Sequence, residues 1–164
     1  MSGSGNQATF TFYNSGPIGS SICDIYFHDG TLLGIASISD SGVAVSFSRY
    51  ANPPDLPGGQ NIGFVTHAGF SADSDSPVSK MGVNNSGTEW VAITFNLING
   101  KTFEDSLAAL NSGELRVGLH VQSIAGAGSN NSDSFVNAVP EPSLVLLMGI
   151  GIGVVTLLGW RLKN

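Results

Sequence analysis

Charge is scarce in this chain. Asp, Glu, Lys and Arg make up 11% of its 164 residues, less than half of the roughly 25% usual in soluble globular proteins, which argues against a solvated helical bundle. Basic residues are the scarcer sign, six against twelve acids. The first 143 residues hold only Arg49, Lys80, Lys101 and Arg116 against all twelve acids. Such a body cannot neutralise a phosphate backbone, so no nucleic-acid partner is expected. The single cysteine, Cys23, rules out an intrachain disulfide and a Cys-cluster zinc site. Lying just before Ile25 and Phe27, it reads as a small buried hydrophobe. A P-loop, a dinucleotide fingerprint, HExxH and GxSxG are all missing. Disorder is excluded too, because weak charge with 41% hydrophobic residues leaves enough apolar surface to bury.

Glycine and period-two alternation are what the chain has in quantity. Phe10 and Phe12 alternate with Thr9, Thr11 and Tyr13, and Val43, Val45 and Phe47 with Ala44, Ser46 and Ser48. Val91, Ile93, Phe95 and Leu97 alternate with Trp90, Ala92, Thr94 and Asn96, while Leu115, Val117, Leu119 and Val121 alternate with Arg116, Gly118, His120 and Gln122. Each run reads as a half-buried strand. Further strands are expected near 22–27, 32–38, 62–70 and 134–138. Turn signals such as Asp29-Gly30, Ser41-Gly42, Pro57-Gly58-Gly59 and Asn99-Gly100 separate them. Some eight short strands predict an all-β antiparallel sandwich, jelly-roll-like or immunoglobulin-like, over residues 8–138. Residues 1–7 read as a flexible lead. One segment departs from the pattern: Thr102-Phe103-Glu104-Asp105, with Leu107 and Leu110 on one face and Gly113 beyond, predicts a capped helix of about ten residues.

The last 26 residues, 139–164, are of another kind. Leu144 to Trp160 is a seventeen-residue apolar run whose only markedly polar member is Thr156. As a helix it is about 26 Å long, and with Leu162 it just reaches across a hydrocarbon core. A transmembrane helix is therefore expected over 144–162, where lipid forces backbone groups to bond internally despite Gly149, Gly151, Gly153 and Gly159. Arg161 and Lys163 follow it directly, which places the C-terminus in the cytoplasm and the body outside.

Val139-Pro140-Glu141-Pro142-Ser143, an apolar span and a terminal basic pair, in that order, resemble the PEP-CTERM sorting signal. The resemblance implies recognition by an exosortase-type membrane enzyme. It implies residence at the cell surface or secretion after processing, and association with exopolysaccharide or biofilm matrix. Carried over, Pro140, Glu141 and Pro142 are the recognition element, and Arg161 with Lys163 the stop-transfer end. Paired prolines keep such a segment extended, where an enzyme can grip it. The basic end is thinner than the family's arginine runs. The start, MSGSGNQATF, has neither charged n-region nor apolar h-region, so a leader upstream of Met1 or a trimmed chain is expected, with a non-exported relative as the other reading. Segments beginning at Asp24, Gly69, Phe103 and Ser132 also resemble bodies found with such tails, and that likeness implies location without a catalytic residue.

Within the body, Asp73 and Asp75 stand at alternate positions of Ser71–Pro77, where carboxylates on a loop supply oxygens to calcium, with Asp133 joining if the loops meet. A solvated Asx-rich turn is the plainer reading. Trp90, Arg116, His120 and Gln122 all fall opposite the apolar faces of their strands. Were those strands neighbours, they would set an aromatic plate beside hydrogen-bonding groups, as a defined sugar site requires. His28, His67 and His120 are widely spaced and form no recognisable triad, so each reads as structural. The expectation is an exported, membrane-tethered, non-enzymatic surface or matrix protein, with a carbohydrate-binding module as the alternative.

Overall fold

The computed structural model describes residues 1–29, 33–67, 69–125 and 130–137. They form two antiparallel sheets packed face to face. Strands β1 (Ser2–Ser4), β2 (Gln7–Tyr13), β8 (Trp90–Leu97) and β4 (Leu33–Asp40) make one sheet in the order β1-β2-β8-β4. The second runs β10 (Asp133–Val136), β9 (Arg116–Gln122), β3 (Ser21–His28), β6 (Ser71–Ser74), β5 (Phe47–Arg49), with β7 (Val83–Asn84) also on β3. The four sequence runs of clearest alternation thus yield three full strands, β2, β8 and β9.

Between the sheets lies a cluster of aromatic rings packed edge to face. Phe27 meets Phe10 at 5.2 Å, Phe95 at 4.7 Å and Phe12 at 6.3 Å between centroids, and Phe70 meets Phe95 at 6.0 Å. Ile25, Ile93, Val91 and Leu115 complete this core, all fully buried. Two bulges adjust which residues face it. Ile22 and Ile25 are three apart yet both lie in the core, because the β3–β9 register shifts between Ile22 and Asp24. An unbroken period of two from Ile22 would turn Asp24 inward. The extra residue instead leaves Asp24, Tyr26 and His28 on the outer face. A like shift between Ile35 and Ser37 in β4 directs both Ile35 and Ile38 inward, and the Ala36 carbonyl there accepts from Arg49 Nη2 at 2.8 Å, joining the two sheets at that edge.

The helix Phe103–Ser112 begins with the expected capping box: Asp105 accepts from the Thr102 N–H at 2.7 Å, and Thr102 Oγ1 from the Asp105 N–H at 3.4 Å. Gly113, at φ 79°, ends it. Its packed face differs from the expected one. Ser106 and Ala109 are buried and Leu110 packs on the core, whereas Leu107 is exposed.

Other expectations are corrected. Residues 43–46 are not strand, because Gly42 and Val43 take positive φ (74° and 48°) and turn Val43 into solvent, leaving only Phe47–Arg49 paired. Residues 62–67 and 69–70 are not strand either. Residues 62–65 belong to a cover over the outer face of the second sheet, with one 3-10 turn, Gly59–Ile62, while Phe70 packs inward on the core. The lead is not loose: Ser2–Ser4 pairs with Gln7–Thr9 as a hairpin turning at Gly5, φ 58°. The span 144–162 and the sorting residues Pro140, Glu141, Pro142, Arg161 and Lys163 lie outside the described residues. Among the described residues, no helix is long and apolar enough to cross a membrane.

Candidate functional site

The outer face of the second sheet carries two neighbouring arrangements, one apolar and one polar. In the first, Tyr26 and Gly118 face each other across β3 and β9, and Leu56 and Phe64 from the cover pack onto them. A Cβ on Gly118 would come within 2.8 Å of Leu56 Cδ2, so the cover approaches because that position has no side chain. Tyr26 donates its hydroxyl to the Pro53 carbonyl at 2.9 Å. Its phenol is pushed well above the ordinary range, by burial first and then by the charges of Asp24, Asp73 and Asp55.

This cover consumes three sequence candidates. Arg116 donates to the carbonyls of Ile62, at 3.1 Å, and of Gly63, and lies 5.4 Å above the Phe64 ring. His28 Nδ1 accepts the Val65 N–H at 2.8 Å, and His67 Nδ1 accepts the Asp29 N–H at 2.9 Å. Burial, and then the charges of Arg116 and His67, hold His28 below its ordinary pKa, consistent with a ring nitrogen acting as acceptor. Arg116 is thus a fastener, not a sugar ligand. Arg116→Ala should cost about 1 kcal/mol through the lost cation–π and hydrogen bonds. It should also speed amide exchange at Phe64 and Val65; unchanged exchange at both would show that the guanidinium holds nothing.

One step along the strands lies the polar arrangement. Asp24 on β3 stands in register with His120 on β9 on one side and Asp73 on β6 on the other. Asp24 is 2% exposed, and its Oδ2 accepts from His120 Nδ1 at 2.7 Å. Its Oδ1 is buried and has no hydrogen-bond partner among the described residues. The Asp73 carboxyl is hydrogen-bonded to Asp24 and pushed up to about 7, by burial first, then by that hydrogen bond and the Asp24 charge, with Asp75 adding to it. A proton held on Asp73 therefore lies toward Asp24. Two neighbouring carboxyls bear one charge more cheaply than two.

Asp75 stands apart. Its two oxygens accept the hydroxyls of Ser46, at 2.6 Å, and Ser48, at 2.9 Å, and these bonds hold its carboxyl below the ordinary range. Asp73 lies on β6 and not on a loop, and Asp133, on β10, is separated from it by β9 and β3. Calcium ligation by Asp73 and Asp75 with Asp133 thus loses its geometric premise. Among the described residues no group of three or more His, Cys, Asp or Glu side chains is placed to hold a metal ion.

His120 also lines a cavity of about 400 Å³, with Gln122, Ser123, Ser79, Asn130, Asn131 and Ser132. Gln122 Nε2 lies 3.5 Å from His120 Nδ1. Trp90 is elsewhere. It begins β8 in the opposite sheet, half-buried and in register with the exposed Tyr13, so the aromatic plate and the polar groups of the expected sugar site do not meet. Of the four residues, His120 and Gln122 share one cavity. Asp24 and its pairing with Asp73 escaped the sequence reading. The outward alternation of Asp24, Tyr26 and His28 was visible, but pairing with residues 49 and 96 positions away was not.

Compared with known proteins, the chain matches no family model, no curated protein and no solved structure.

Proposed function

We propose that this is an exported, non-enzymatic surface or matrix protein, a β-sandwich body delivered and processed through its C-terminal PEP-CTERM-like tail and resident among exopolysaccharide. The observation that carries the reading is the order of the tail: Pro140-Glu141-Pro142, the uncharged run Leu144–Trp160, then Arg161 and Lys163. Asn137 is tied to β9 by both its backbone and its side chain, N–H to the Val117 carbonyl at 3.1 Å and Oδ1 from the Val117 N–H at 2.7 Å. Two residues later the tail motif begins. In this reading the helix 144–162 spans the membrane, the body faces away from the cytoplasm, and an exosortase-type enzyme grips the extended prolines.

Replacing Pro140, Glu141 and Pro142 with alanine, in a host that makes such an enzyme, should leave a folded full-length form in the membrane fraction and no processed form outside. The effect should be close to all or none, read by immunoblot of fractions. Unchanged maturation would remove the sorting role.

A further inference from the structure

We propose that the cavity beside His120 is a binding site for a neutral glycan segment, so that the body holds polysaccharide through the second sheet and not through Trp90. The inference rests on the matrix reading above only for the source of the ligand; the site itself is argued from its walls.

Among the described residues, each one lining the cavity carries a neutral hydrogen-bonding group or an imidazole, and none is a carboxylate, a lysine or an arginine. Asn130 and Gln122 each offer a donor and an acceptor from one planar amide, and Ser79, Ser123 and Ser132 offer hydroxyls that serve as either. That inventory matches vicinal hydroxyls, each of which gives and takes a hydrogen bond. It suits a phosphate or carboxylate poorly, because the described body has only four Lys and Arg and two of them, Arg49 and Arg116, are committed to backbone carbonyls. A cation finds no carboxylate on the walls. The volume, about 400 Å³, falls within the range of small-molecule sites.

Preorganisation is the second argument. His120 is not a loose side chain: its Nδ1 is held at 2.7 Å by a carboxylate that is itself 2% exposed and paired on its far side with Asp73. This fixes the imidazole plane and leaves Nε2 as the ring's second polar atom, while Gln122, two residues along the same strand, takes its place on the same face. A wall of fixed polar groups loses less side-chain entropy on binding than a flexible one.

The test is titration of the full chain in detergent with cellobiose, maltose and N,N′-diacetylchitobiose, followed by saturation-transfer NMR. At least one should bind saturably in the millimolar range or tighter. Gln122→Ala and Ser132→Ala, which leave Asp24 and His120 paired, should each weaken it tenfold or more, and Trp90→Ala should leave it unchanged. Absence of saturable binding to all three sugars, binding indifferent to Gln122→Ala and Ser132→Ala, or loss in Trp90→Ala would each overturn the assignment. A protein that binds sugar but matures normally without its prolines keeps the cavity and loses the sorting role; the converse result separates them the other way.

Discussion

Phe27→Ala is expected to remove about 3–5 kcal/mol of folding stability, the usual cost of emptying an aromatic site in a packed core. Phe27 is fully buried on β3 and touches three other rings, those of Phe10, Phe12 and Phe95. Phe10, Phe12 and Phe95 come from the opposite sheet, so the lost ring is the contact that holds the two layers in register. Edge-to-face pairs add about 0.5–1.5 kcal/mol each beyond the area they bury, and the gap cannot be closed by one neighbour moving. Because a domain has about 5–15 kcal/mol in total, the variant should melt roughly 6–20 °C below the parent, at about 2–4 °C per kcal/mol for a chain of this size. Phe135→Ala is the control. That ring is 50% exposed on the edge strand β10, and its loss should change stability by only about 0.5 kcal/mol. Equal effects at the two positions would mean that the aromatic cluster does not organise the sandwich.

How much of this could be read from the sequence depended on whether a feature was local. The alternation in Gln7–Tyr13, Trp90–Leu97 and Arg116–Gln122 and the capping box at Thr102 each lie within one element, and each was legible. Bulges defeat the same reasoning, since one unpaired residue reverses the faces that follow it. Cys23 and Ala36 are ordinary residues in ordinary runs, and nothing beside them signals a shift. Val43 illustrates the opposite failure, an apolar residue in perfect alternation that a glycine turn throws into solvent. The site is less legible still. Trp90, Arg116, His120 and Gln122 were chosen by face within their own strands, which was sound. Their assembly depended on β8 lying beside β9, and sheet order is a property of long-range pairing. Arg116 was lost to the site because the cover formed by residues 51–65 arrives over it.

Asp73→Asn should raise stability at neutral pH and leave it nearly unchanged near pH 4. In the folded chain Asp73 keeps its proton up to about pH 7, whereas an ordinary aspartate releases it near 3.8. Below about pH 4 both states hold the proton and the residue is neutral in the balance. Between about pH 4 and 7 the unfolded chain has released it and the folded chain has not, so stability declines as pH rises. Above about pH 7 the decline is complete. An asparagine does not titrate and can donate its amide to Asp24 in place of the proton. The full shift would amount to about 4 kcal/mol, but Asp73 is only half-buried and solvent screening reduces this to about 1–2 kcal/mol. Melting curves of the two proteins should therefore diverge progressively from pH 4 to 7 and run parallel above it. Curves that stay parallel throughout would show that the two carboxyls do not share a proton. Divergence would bear on the cavity as well, because Asp73 adjoins Asp24, and Asp24 is what orients His120 on the cavity wall.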